Sequence, residues 1–113
     1  MMEQMLLMWG HQVRQAGRGE DGLKLLEQGP ADVAFVDIGL PDIEGYEVAQ
    51  RARAALAKPQ PYMVALSGFG QEQDRNRAAA AGFDAHLTKP TSVESLDALL
   101  SRVARDRLLS RDE

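Results

Sequence analysis

The sequence predicts an α/β domain, a doubly wound parallel sheet with helices on both faces. Three observations carry that expectation. Short strand-like runs alternate with helical stripes along the whole chain. The connections between them are too short for anything but crossover units. Three of the strand runs also end in reactive residue types, Asp37, Ser67 and Lys89, and a parallel sheet collects such ends along one edge, where ligands bind.

The elements follow in order. Residues 1–9, "MMEQMLLMW", read as the latter part of a helix, with Met2, Met5, Leu6 and Trp9 at helical spacing and Gly10 as its C-terminal cap. Residues 11–16 read as a weak strand, and a Gly-rich turn leads to a short helix at 20–28 that Gly29 and Pro30 stop. The run "DVAFVD" (32–37) is β-branched and aromatic, the pattern of a strand buried on both faces. A helix follows from Tyr46, with Val48, Ala49, Ala52 and Leu56 on one face, and Pro59 and Pro61 forbid its continuation. "YMVALS" (62–67) is another buried strand, 71–82 a helix closed by Gly82, and "DAHLT" (84–88) a short strand. The last helix starts at a T-x-x-E box, Thr91 and Glu94, and carries an apolar stripe of Val93, Leu96, Leu99, Leu100 and Val103.

Length and composition bound the function. The 113 residues fit one domain, read here as 1–113. A net charge of −4 argues against direct nucleic-acid binding, which needs a basic patch. No run approaches the ~20 apolar residues of a membrane span, and Glu3 stands where a signal peptide needs basic residues. The absence of cysteine excludes disulfides and thiolate metal sites. A cytoplasmic protein with no membrane partner is expected.

Side by side at one sheet edge, Asp37, Ser67 and Lys89 offer a carboxylate nucleophile, a hydroxyl and a fixed cation. A carboxylate attacking a phosphoryl group needs such company, because the lysine offsets the added charge and the hydroxyl can bond a phosphoryl oxygen. The run from Asp37 through Pro41 to Gly45, with Ser67 and Lys89-Pro90, resembles the receiver domain of two-component response regulators. The phrases "GYEVA", "LSGFGQEQDR" and "GFDAHLTKP" are similar to receivers attached to hybrid sensor histidine kinases.

That resemblance implies a flavodoxin-like sheet of order 2-1-3-4-5. It implies Asp37 as the phosphoacceptor of a phosphorelay, charged by a histidine kinase or phosphotransfer protein. Magnesium would bind Asp37 and the backbone carbonyl of Gly39. Ser67 would be the switch hydroxyl, His86 would stand at the switch aromatic position, Lys89 would contact the phosphoryl group, and the peptide before Pro90 would be cis. No enzyme activity is expected beyond self-catalysed phosphoryl transfer and its reversal by hydrolysis. One departure is plain. The family's first strand and the acidic pair that ends it would lie upstream of Met1, so the domain reads as N-terminally truncated. Three expectations are compatible with that gap: a truncated receiver, direct pairing across the gap, or a strand exchanged within a homodimer. A pseudo-receiver that binds partners without phosphorylation is the alternative function. An aspartate-nucleophile phosphatase is disfavoured because position 39 is glycine, and a flavodoxin-type cofactor binder because no phosphate-binding loop follows a strand.

Overall fold

The computed structural model describes residues 2–57, 60–68 and 72–111. In chain order the elements are α1 (Met2–Met8), α2 (Gly19–Gln28), β1 (Val33–Asp37), α3 (Gly45–Ala55), β2 (Tyr62–Ser67), α4 (Glu72–Ala81), β3 (Ala85–Thr88) and α5 (Val93–Arg111). The three strands form one parallel sheet in the order β1-β2-β3, so each crossover carries a helix as expected for parallel pairing.

Alternation along the strands sends side chains to two cores. Ala34, Val36, Met63 and Ala65 meet Leu23, Tyr46, Val48, Ala49, Ala52, Ala78, Ala81 and Phe83, which places α2, α3 and α4 on one face. Val33, Phe35, Val64, Ala85 and Leu87 meet Leu99 and Val103 of α5 on the other. Met63, Val64 and Ala65 are fully buried. A continuous apolar run is what a strand covered on both faces requires.

Helix ends follow local chemistry. Gly82 has φ +111°, Gly82 N–H donates to Ala79 O at 3.1 Å, and Phe83 N–H donates to Ala78 O at 3.0 Å, the paired closure of a helix by a left-handed glycine. Gly10, at φ +87°, closes α1 in the same way onto Leu7 and Leu6. At the start of α5 the capping box lies one residue beyond the expected Thr91. Ser92 Oγ accepts from Ser95 N–H at 3.1 Å and donates to Ser95 Oγ at 2.9 Å. Two serines at the N-cap and N3 positions supply what Thr91 and Glu94 were expected to supply. The helix expected to run towards Pro59 ends at Ala55; Pro59 itself lies outside the described residues.

The expected strand at 11–16 does not form. The segment is neither helix nor strand, and β1 pairs only with β2 among the described residues. A strand exists only by pairing, and among the described residues the sheet is β1-β2-β3 with no ladder to this segment. Direct pairing of this segment onto β1 across the gap, one of the three arrangements expected above, is therefore not what is found. Instead Arg14 anchors it: the guanidinium donates to Leu25 O and Gly29 O, each at 3.0 Å, and so satisfies carbonyls at the C-terminal end of α2.

Candidate functional site

The carboxyl ends of the three strands lie along one edge, and register brings the predicted residues together. Asp37, the last residue of β1, pairs with Leu66, and Ser67 pairs with Thr88. Lys89 N–H then donates to Ser67 O at 2.7 Å, which carries the lysine past the end of β3 and turns it back across the edge. Its ammonium is hydrogen-bonded and ion-paired to Asp37 Oδ2. The other carboxylate oxygen, Oδ1, accepts the Gly39 N–H at 2.9 Å. The Lys89-Pro90 peptide is cis, as expected.

Burial opposes ionisation of Asp37, but the hydrogen bonds from Lys89 and Gly39 outweigh it and hold the carboxyl below its ordinary value. The side chain is half-exposed, as is Lys89, so the group is charged and reachable at neutral pH. Gly45 explains how the following loop can fold so tightly against it. A Cβ at that position would stand 2.5 Å from Asp37 O and 2.8 Å from Ile38 Cα, so only glycine lets α3 begin there.

Ser67 is buried, and its Oγ lies 2.8 Å from His86 Nε2. Asp37, Lys89 and Gly39 form one contact group at the strand ends, and Ser67 and His86 form a second contact between β2 and β3. The remaining carboxylates of the loop are committed elsewhere. Asp42 accepts Gly19 N–H at 2.8 Å and Glu20 N–H at 3.0 Å, and these bonds lower its carboxyl from 3.8 to about 2. It caps α2 across the chain, a role that its position between Pro41 and Gly45 did not signal. Glu44 pairs with Arg77 at 2.7 Å, and the same guanidinium lies 4.1 Å over the Tyr46 ring.

Magnesium fits poorly. Among the described residues no three His, Asp or Glu side chains converge as metal ligands, and both oxygens of Asp37 already accept hydrogen bonds. Magnesium takes six oxygen ligands, usually one or two carboxylates with several waters. Asp37 and the Gly39 carbonyl are the groups that would hold it here, Asp37 at the expense of a hydrogen bond it already accepts, and no step below is routed through a metal.

Three parallel strands, helices on both faces and an Asp-Ser-Lys edge with a cis Lys-Pro peptide identify the architecture. The sequence profile of the response regulator receiver domain matches residues 1–101. The chain belongs to the receiver domain family. It is 35% identical to the transcriptional regulatory protein AfsQ1 of Streptomyces coelicolor over 104 residues, 92% of this chain and 45% of that protein. It is also 35% identical to the virulence sensor protein BvgS of Bordetella pertussis, over 96% of this chain and 9% of that protein. The chain thus spans less than half the length of either. Among solved structures it resembles a CheY-like receiver domain from Methylobacillus flagellatus, with a TM-score of 0.81 at 30% identity, covering 90% of this chain and 85% of that one. It also resembles the receiver domain of a Pseudomonas aeruginosa sensor histidine kinase, with a TM-score of 0.80 at 27% identity over 89% and 83% of the two chains. That crystal structure has a magnesium ion coordinated in its active-site cleft. The flavodoxin-like receiver fold expected from the sequence is the fold found. No helix among the described residues is long and apolar enough to cross a membrane.

Proposed function

We propose that this receiver domain accepts a phosphoryl group on Asp37 from a phosphohistidine of a histidine kinase or phosphotransfer protein. The observation that carries the reading is the ion pair between Asp37 and Lys89 at the open ends of the strands, with the Gly39 N–H on the second carboxylate oxygen. The carboxylate is ionised, and so is a nucleophile without a separate base. A P–O bond forms to Asp37 as the P–N bond of the donor breaks, and the freed imidazole nitrogen takes a proton from solvent. The product adds a phosphoryl group carrying about −1.5 to −2 charge. Lys89, already paired with Asp37, is the cation that would offset it, and Ser67, the last residue of β2, is the hydroxyl that would bond a phosphoryl oxygen. Slow hydrolysis of the aspartyl phosphate would return the domain to its resting state without a separate phosphatase.

The test is labelling with a small phosphodonor such as phosphoramidate, with and without magnesium, in the wild type and in Asp37→Asn. Label on the wild type and none on the variant is the expected result. A wild type that takes no label in either condition would leave a protein-binding role in its place. Label equal with and without magnesium is expected if Lys89 alone supplies the cation.

A further inference from the structure

Helix α1 stands outside both apolar cores. It buries no residue, and none of its side chains belongs to either cluster or packs against one. Three of its seven residues are nevertheless methionine, Met2, Met5 and Met8, in an unbroken M-x-x-M-x-x-M run. Met8 is 83% exposed. Met63 of β2, by contrast, is fully buried, the usual gap-filling use of this side chain. We propose that Met2, Met5 and Met8 form a thioether site for a soft monovalent cation of the Cu(I) class. The site does not depend on Asp37 being the phosphoacceptor.

Helical spacing brings the three sulfurs to one side. Residues three apart lie on successive turns, with Cβ atoms about 5–6 Å apart. At about 3.6 residues per turn, the two steps from Met2 to Met8 swing through about 120°. Each outer methionine has to cover about 4.5 Å along the axis to meet Met5. An unbranched side chain with three rotatable bonds can do so.

Ligand chemistry selects the ion. A thioether is neutral and polarisable, and such ligands favour Cu(I) over the hard cations that carboxylates and water hold. The chain has no cysteine, so no thiolate competes for a soft ion. Among the described residues no three His, Asp or Glu side chains converge on a metal either. A purely apolar docking face would be served as well by leucine, which α1 carries at Leu6 and Leu7. Sulfur at every third position is what leucine cannot supply. Trp9, the chain's one tryptophan, follows Met8 directly, and an indole face attracts a nearby cation.

The experiment titrates Ag(I), the redox-inert counterpart of Cu(I), into the whole chain in chloride-free buffer. Isotope-labelled methionine methyls and Trp9 fluorescence are followed together. The Met2, Met5 and Met8 methyls should move in step and saturate at one equivalent, with quenching of Trp9. The Met63 methyl should stay where it is, because the core is not involved. Met5→Leu and Met8→Leu should each weaken binding by about tenfold or more, since even changes behind a metal's ligands cost that much. Neither should alter the metal-free unfolding midpoint, because α1 lies outside both cores. Still α1 methyls at several equivalents, a Met63 shift in step with theirs, or a Met8→Leu variant that binds like the wild type would overturn the site. The last result would leave α1 a plain apolar helix.

Discussion

The two ends of the sheet use their polar side chains in opposite ways. At the amino end, Arg53 of α3 is a clamp. Its Nε donates to Gly82 O at 2.8 Å, Nη1 to Gln60 Oε1 at 2.9 Å and Pro61 O at 3.1 Å, and Nη2 to Asp84 Oδ2 at 2.7 Å. Asp84 Oδ2 also accepts Met63 N–H at 2.8 Å. One planar fork thus ties α3, the entry to β2 and the entry to β3 into one arrangement. At the carboxyl end, Lys89 is a point charge with one carboxylate partner, and that pair is half-exposed. Guanidinium suits a fixed joint. An ammonium on a flexible stem can stay with a carboxylate as it gains a phosphoryl group. A guanidinium with several acceptors thus stands at one end of the sheet and a half-exposed ion pair at the other.

The largest separation of the two ends comes from Asp37→Asn. It should reduce phosphodonor labelling to background while the thermal unfolding midpoint stays close to the wild type's, since an exposed ion pair contributes little to stability. Arg53→Ala should do the reverse. Loss of its bonds leaves Asp84 and the Gly82 and Pro61 carbonyls without this donor, at a cost of about 2–3 kcal/mol in urea unfolding. Arg53→Lys should recover only part of that, because an ammonium cannot span the same acceptors. Lys89→Ala is expected to slow labelling severalfold yet change stability by less than about 1 kcal/mol. A Lys89 variant as destabilised as Arg53→Ala would erase the distinction between the ends.

The smallest effect is a matter of pH. The Asp42 carboxyl stands at about 2 in the folded protein against an ordinary 3.8. A group with a lowered folded value stabilises the fold above its unfolded value and loses that contribution as pH falls through the folded one. Its stabilisation is therefore complete at neutral pH and fades as pH falls from about 4 to about 2. Asp42→Asn should lower the unfolding midpoint at pH 7, with the gap to wild type narrowing across that acid window. An unchanged gap would remove Asp42 from the capping of α2.

Much of this was legible in the sequence because it depends on local signals. Residue type at strand ends identified Asp37, Ser67 and Lys89, and the short continuous apolar runs "DVAFVD" and "YMVALS" placed β1 and β2. Gly10 and Gly82 marked two helix ends because left-handed closure selects glycine. Partners distant in sequence were not legible. Asp42 reaches back to Gly19 and Glu20, Arg14 forward to Leu25 and Gly29, and Arg53 to Asp84. Nothing in local spacing announces such bonds. The strand expected at 11–16 failed for the same reason, since a strand is a property of its neighbour as much as of its own residues. The cap expected at Thr91 falls on Ser92, a residue of the same capping type one position on. His86 was placed at a switch position from the sequence, but its hydrogen bond to Ser67 needed the register of β2 and β3.

The most direct measurement is mass-spectrometric mapping of the phosphorylated residue after treatment with phosphoramidate, with borohydride reduction to mark aspartyl phosphate. Modification at Asp37 alone is expected, with Asp42 and Asp84 untouched because each is bound to backbone N–H groups that fix the fold. Modification at Asp42 or Asp84, or none at Asp37, would contradict it.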